Sequence, residues 1–514
     1  MVLINGRGDY LSRRQVLAGA AGMGLGLLLP FDAAYGDEST VIVSTPSGRL
    51  QGVQSGSIRI FRGVSFAPPP VGPLRFRPAV KLATWTGVRD AVKLAPAAVQ
   101  SAVANAGESE DCLALNIWAP TSPGPHPVFF WVHGGGFTGG RSSDDGAAFA
   151  ANGIVCITTA YRLGVLGFLD VASLLGEQYR GSANNGLRDL ITALEWVHEN
   201  IGSFGGDPSR VTIGGESAGA KLSDILMGTP SAKPLFRQVI SESGGAERVS
   251  TPMDADAIAR GYGSLWTGMT GTPLNAMLTA PASELIRVQD RFMSTWPKHF
   301  PLRPEIGTET LPDYPVHTVA DSNARGKHLL IGTNRDESAA FIGPHPTAVH
   351  AGDLGNITLD QFETVLAKYA HVYPSLPADR RLIRAVTAEE YWMPSIRLAQ
   401  ATESGHGHAW VYRFDYPAES GDLSGYAFHG LELDFVWNTS HAQADPLRAP
   451  LASTIHQAWC SFITRGAPAA PGLPSWPEST SQKPQTMILD ATSHVEPNVQ
   501  ADEIALWSGV SNTL

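Results

Sequence analysis

Hydrophobic positions change their spacing along this chain in a way that predicts a mixed α/β architecture. Over residues 40–66 apolar and polar positions alternate between turn signals, in Val41-Ile42-Val43, Gly48-Arg49-Leu50-Gln51-Gly52 and Ile58-Arg59-Ile60-Phe61, which fits short antiparallel strands. Pro68-Pro69-Pro70 through Arg77-Pro78 then predicts an extended surface crossing, because proline removes amide donors and biases its neighbours away from helix. Residues 113–118, 128–132 and 154–161 read as core strands, the last continuously apolar in the manner of a strand covered on both faces. Leu187, Leu190, Ile191, Leu194, Val197 and Ile201 next keep to one helical stripe, which Phe204-Gly205-Gly206-Asp207-Pro208 ends. A strand ending at Ile213, a helix starting near Ala218, and apolar runs at Val239-Ile240-Ser241 and Leu329-Leu330-Ile331 continue a βαβ series, hence a mostly parallel sheet. Between Glu247 and about Asn323 short amphipathic pieces carry Trp266, Phe292, Trp296 and Phe300, a pattern that predicts a helical cap over a pocket. Trp410-Val411-Tyr412 and Met487-Ile488-Leu489 are late strands.

Composition narrows the function classes. With 514 residues, 43% of them hydrophobic and 17% charged, the chain can bury a large core, and the order of elements favours one large α/β unit with insertions over 37–514. The net charge of −11, with no long run of Lys or Arg, argues against a nucleic-acid partner. Three cysteines, Cys112, Cys156 and Cys460, exclude a disulfide scaffold, and none stands in a metal-ligand spacing. No P-loop or other cofactor motif is present, so no cofactor is expected. At the N-terminus Ser12-Arg13-Arg14-Gln15-Val16-Leu17 precedes a glycine-containing apolar stretch too short for a membrane span, with Ala34-Tyr35-Gly36 as small residues suited to cleavage. Residues 1–36 therefore read as a twin-arginine export signal of bacterial type, which implies a periplasmic or secreted mature chain without a stable membrane span.

The chemistry centres on Gly215-Glu216-Ser217-Ala218-Gly219, a Gly-x-Ser-x-Gly core placed where a strand meets a helix. Such an elbow exposes the Ser217 hydroxyl and sets the Ala218 amide at a helix N-terminus, where it can stabilise an oxyanion. A serine hydroxyl is a poor nucleophile, so it needs a base, a carboxylate to orient that base, and further oxyanion donors. His133-Gly134-Gly135-Gly136 follows a strand and offers bare amides. Gly332-Thr333-Asn334-Arg335-Asp336-Glu337 puts two acids after another strand, and Phe428-His429-Gly430 supplies an imidazole. The order serine, acid, histidine is that of α/β hydrolases, though spacing alone leaves Asp336 and Glu337 as alternatives for the acid.

These segments, with Phe61-Arg62-Gly63-Val64, Glu110-Asp111-Cys112-Leu113, Tyr161-Arg162-Leu163-Gly164 and Asn185-Gly186-Leu187, resemble the type B carboxylesterases, the family of cholinesterases and bacterial para-nitrobenzyl esterases. The resemblance covers essentially the whole chain after residue 36. It implies the α/β-hydrolase fold: a central mostly parallel sheet flanked by helices, with helical cap insertions. It implies Ser217 as nucleophile, His429 as general base and acid, and Glu337 as the third triad member. Gly135, Gly136 and Ala218 match the oxyanion amides, Ser243 a serine that supports the carboxylate, and Arg62 and Glu110 a structural ion pair. The cysteine that usually pairs with Cys112 is replaced by Ala98, so the resemblance implies a missing disulfide. Residues 99–111 hold no aromatic side chain to stack on choline. The expected activity is hydrolysis of small-molecule carboxylic esters. A lipase and a carbamate or amide hydrolase share the apparatus, whereas the family's catalytically inactive binding proteins lack triad members.

Overall fold

Three antiparallel strands open the sheet: β1 (Ser39–Ser44), β2 (Arg49–Ser55) and β3 (Ile58–Ser65). The computed structural model describes residues 38–101, 107–297 and 300–510, and the export signal expected over 1–36 lies outside them. Nine further strands complete the main path: β4 (Ala114–Pro120), β5 (His126–Val132), β6 (Val155–Thr159), β7 (Gly206–Glu216), β8 (Gln238–Glu242), β9 (His328–Asn334), β10 (His408–Phe414), β11 (Gln485–Leu489) and β12 (His494–Pro497). Their spatial order is β1-β2-β3-β4-β6-β5-β7-β8-β9-β10-β11-β12, and a short strand at Val88–Asp90 beside β2 brings the sheet to 13. From β6 to β11 every pairing is parallel, whereas β4 runs antiparallel to both β3 and β6. The expected parallel series thus begins one strand later than the sequence pattern suggests, because only the five residues 121–125 join β4 to β5, too few for a crossover helix.

Strands buried on both faces explain the continuous apolar runs. Neighbours in sequence serve opposite layers: Ile213, Val239 and Leu329 pack in one core with Leu187, Leu194 and Leu222, while Ile240, Leu330 and Trp410 pack in another with Trp459 and Phe462. The first layer is covered by α1 (Asn185–Asn200) and α2 (Ala218–Met227). The second is covered by a long C-terminal helix, Ala449–Arg465. After β8 the chain forms α3 (Pro252–Thr270) and α4 (Ala282–Thr295), which pack on each other as the helical insertion expected there. A second insertion between β9 and β10, not read from the sequence, holds α5 (Leu359–Val372), α6 (Ala378–Thr387) and α7 (Met393–Ser404), with a π-helical turn at Ala388–Trp392.

The three cysteines are free and buried. Among the described residues no helix is long and apolar enough to cross a membrane.

Candidate active site

The carboxyl ends of β5, β7, β8 and β9 converge on one place, as expected for a parallel sheet whose functional residues sit on the loops that follow its strands. β7 runs to Glu216, three residues beyond its expected end, and α2 starts at Ala218. Ser217 alone makes the turn, with φ 54° and ψ −123°, a conformation that costs a non-glycine residue about 1–3 kcal/mol and persists only where the surroundings impose it. The surroundings are backbone. A methyl carbon on Gly219 would lie 1.9 Å from the Val132 carbonyl oxygen, and one on Gly215 would lie 2.4 Å from the same atom. Only glycine at both positions lets the turn press against the end of β5.

That same approach brings the glycine loop to the serine: a methyl carbon on Gly134 would stand 3.2 Å from Ser217 Cβ. The loop is anchored by His133, whose ring stacks on Tyr161 at 4.6 Å and whose carbonyl accepts the Tyr161 hydroxyl at 2.9 Å. Burial pulls the His133 imidazole down to about 4, so it is neutral at physiological pH. Among the described residues, the N–H groups of Gly135, Gly136 and Ala218 donate to no carbonyl, while those of Thr138 and Gly139 both go to the Gly135 oxygen. Three backbone donors on the two segments that meet at Ser217 are thus unclaimed by other carbonyls among the described residues. Phe300 leans on Gly136, and the Arg248 guanidinium lies 4.4 Å from its ring centroid.

The imidazole and the carboxylate meet as the chain order suggests. Glu337, with no exposed surface, takes His429 Nδ1 on Oε2 at 2.6 Å and receives Ser243 Oγ at 2.5 Å and the Asn334 N–H at 2.7 Å on Oε1. Asp336 points elsewhere: its Oδ2 accepts from Arg335 Nε at 2.9 Å and the Ala427 N–H at 3.1 Å. Of the two acids that spacing left open, Glu337 is the one that lies against His429, while Asp336 faces Arg335 and Ala427. Ser243 reaches it from the loop after β8, where its own φ is 57° and its N–H is held by the Gly332 carbonyl. Phe341 and Tyr391 flank the His429 ring, each with centroids 5.0 Å away.

The remaining contact was not anticipated. His429 Nε2 lies 3.1 Å from Glu216 Oε1, and Ser217 Oγ has no hydrogen-bond partner among the described residues. Glu216 is the variable residue of the Gly-x-Ser-x-Gly core, and nothing in its spacing signals a side chain turned back toward the histidine. Two further buried acids lie nearby. Glu432 is held by Asn334 Nδ2, and Glu242 accepts Trp459 Nε1 at 2.8 Å. Burial pushes Glu216 up to about 7, partly offset by His429, and pushes Glu432 and Glu242 up as well. For His429, burial pulls the pKa down, but Glu216 and Glu337 outweigh it and hold the imidazole at about 9.

Outside this centre, Glu110 is gripped by Arg75 through Nε and Nη2, and Arg162 pairs with buried Asp189 at 2.6 and 2.8 Å. Among the described residues no group of three or more His, Cys, Asp or Glu side chains is arranged to hold a metal ion.

The profile of the Carboxylesterase family matches residues 39–507. The para-nitrobenzyl esterase of Bacillus subtilis (strain 168) is 33% identical over 487 residues, covering 90% of this chain and 97% of its own. The fumonisin B1 esterase of Sphingopyxis macrogoltabida is 33% identical over 501 residues, covering 91% of each. Among solved structures, a carboxylesterase of Geobacillus stearothermophilus superposes with a TM-score of 0.80 at 33% identity, over 91% of this chain and 99% of that one. The chain belongs to the carboxylesterase family and is a carboxylic ester hydrolase with the α/β-hydrolase fold.

Proposed function

We propose that the protein cleaves small-molecule carboxylic esters through an acyl-enzyme on Ser217, with His429 as base and then acid, Glu337 orienting it, and Gly135, Gly136 and Ala218 as oxyanion donors. The observation that carries this reading is the fully satisfied Glu337 carboxylate at 2.6 Å from His429 Nδ1, which leaves Nε2 facing the elbow. In the first step Ser217 Oγ attacks the ester carbonyl as His429 Nε2 takes its proton, and the carbonyl electron pair moves onto oxygen. The three unclaimed amides receive that oxyanion, each worth on the order of 3 kcal/mol of barrier. Collapse expels the alcohol, which leaves with the proton from His429, and water then repeats the sequence on the acyl group.

For this, Nε2 must exchange Glu216 for Ser217. The two partners are adjacent on one turn, so side-chain rotation accomplishes the exchange, and catalytic hydrogen bonds commonly tighten only once substrate is bound. Ser243 acts through Glu337 as a positioning residue. The reading is tested by steady-state hydrolysis of p-nitrophenyl acetate. Ser217→Ala and His429→Ala should each lower kcat by about 10⁴-fold or more, and Glu337→Gln by about 10²–10⁴-fold. Retention of near wild-type kcat by any of the three would refute its assigned role.

Residues 1–36 are proposed as an export peptide read through Arg13 and Arg14, preceding an enzyme unit over 37–514. The motif Ser12-Arg13-Arg14-Gln15-Val16-Leu17 supports it. Replacement of both arginines by lysine should keep the precursor inside the cell, and unchanged appearance of the mature chain outside would contradict it.

A further inference from the structure

The opposite edge of the sheet carries a second feature that ester hydrolysis does not use. Arg237 directly precedes β8 and Lys327 directly precedes β9, and since Gln238 pairs with His328 in parallel register, the two cations stand side by side at the amino-terminal edge. Ser217 and Glu337 lie beyond the carboxyl ends of β7 and β9, with the length of the strands between. Here a cleft of about 430 Å³ is lined by Lys233, Arg237, Arg325 and Lys327 together with Pro230, Pro234, Phe236 and Gly326. Four basic residues and no acid line it, in a chain whose net charge is −11.

The side chains are arranged as a holder with open donors. Lys327, only 4% exposed, anchors its Nζ on the carbonyls of Phe236 and Lys233 at 2.6 and 2.8 Å and lies 3.8 Å from the Phe236 ring centroid. Lys233 gives one hydrogen bond to the Ser322 carbonyl at 3.0 Å. An ammonium has three donors and a guanidinium five, so both lysines keep donors in reserve. The exposed Arg237 and Arg325 side chains have no hydrogen bond or ion pair among the described residues. Burial, with Lys233 and Arg237 adding repulsion, pulls Lys327 down to about 7, and a bound anion would restore its full charge.

We propose that this cleft is a binding site for a phosphate-bearing small molecule, distinct from the esterase centre and on the far edge of the sheet. Phosphate matches the donors: its tetrahedral oxygens take two guanidinium forks and an ammonium at once, and its charge offsets the cluster. The volume of about 430 Å³ and the clustering of four basic residues around it suit a compact polyanion better than a nucleic-acid strand, which needs an extended basic stripe.

Calorimetry with pyrophosphate on the full-length enzyme tests the proposal, in parallel with cosedimentation on phosphatidylcholine vesicles with and without phosphatidic acid. Saturable pyrophosphate binding that weakens at least tenfold in Arg237→Gln/Arg325→Gln, while p-nitrophenyl acetate turnover stays at the wild-type rate, is the expected result. Additional binding to the phosphatidic acid vesicles would assign the phosphate to a lipid headgroup, and its absence to a soluble compound. No saturable binding of either probe, or equal binding by the double variant, would overturn the site.

Discussion

At the scale of single residues, Glu216 changes the expected chemistry most. Its carboxylate lies against the nitrogen that must accept the Ser217 proton, and with Glu337 it holds the His429 imidazole at about 9. A base raised this far is unprotonated only in alkaline solution, so kcat/KM should climb with pH toward that value. Removing one negative neighbour favours the neutral imidazole. In Glu216→Gln the rising limb of the kcat/KM profile for p-nitrophenyl acetate should therefore move to lower pH, by on the order of one unit. An unmoved limb would show that Glu216 does not act on His429. Ser243 gives a smaller effect: without its hydroxyl, Glu337 keeps the Asn334 amide and His429, so Ser243→Ala should lose about tenfold in kcat with little change in KM. The serine, the glycines and the histidine were legible because they stand in short, ordered motifs. The acids around them were not, since Glu216 and Glu242 become neighbours only when distant strands are brought edge to edge, and Glu432 reaches them from a later loop.

At the scale of elements, the elbow is held by close backbone approach, and a separate buried ion pair ties the segment after β6 to α1. Gly219→Ala would drive a methyl group into the Val132 carbonyl, so the variant should lose on the order of 3 kcal/mol of stability, measured as a lowered urea midpoint, along with its activity. Arg162, after β6, binds Asp189 of α1 with both side chains almost fully buried. Asp189→Asn would leave the guanidinium uncompensated and should cost about 3–5 kcal/mol by the same measurement. Periodicity located α1 and the core strands well because alternate faces of a doubly covered sheet are all apolar. It placed the end of β7 three residues early, since Gly214 and Gly215 read as turn while they in fact pair with Ile240 and Ser241 in the ladder. The helices α5 to α7 escaped notice because their apolar faces meet one another and the site through Tyr391, contacts without a local signature.

At the scale of the whole molecule, the sheet performs the assembly. Ser243, Glu337 and His429 are separated by 94 and 92 residues in sequence and meet because β8, β9 and β10 run parallel and deliver their following loops to one edge. No covalent cross-link contributes among the described residues: all three cysteines are free, and burial pushes the Cys112, Cys156 and Cys460 thiols up, the last to about 12. Native enzyme should consequently ignore both dithiothreitol and a thiol-reactive dye, and three thiols should react only after unfolding. The measurement that bears most directly on the account is trapping of the covalent intermediate: treatment with an organophosphonate ester, followed by intact mass and peptide mapping. One adduct per chain on Ser217, absent from Ser217→Ala, is the predicted result. A stoichiometric adduct on any other residue, or labelling that survives the substitution, would contradict it.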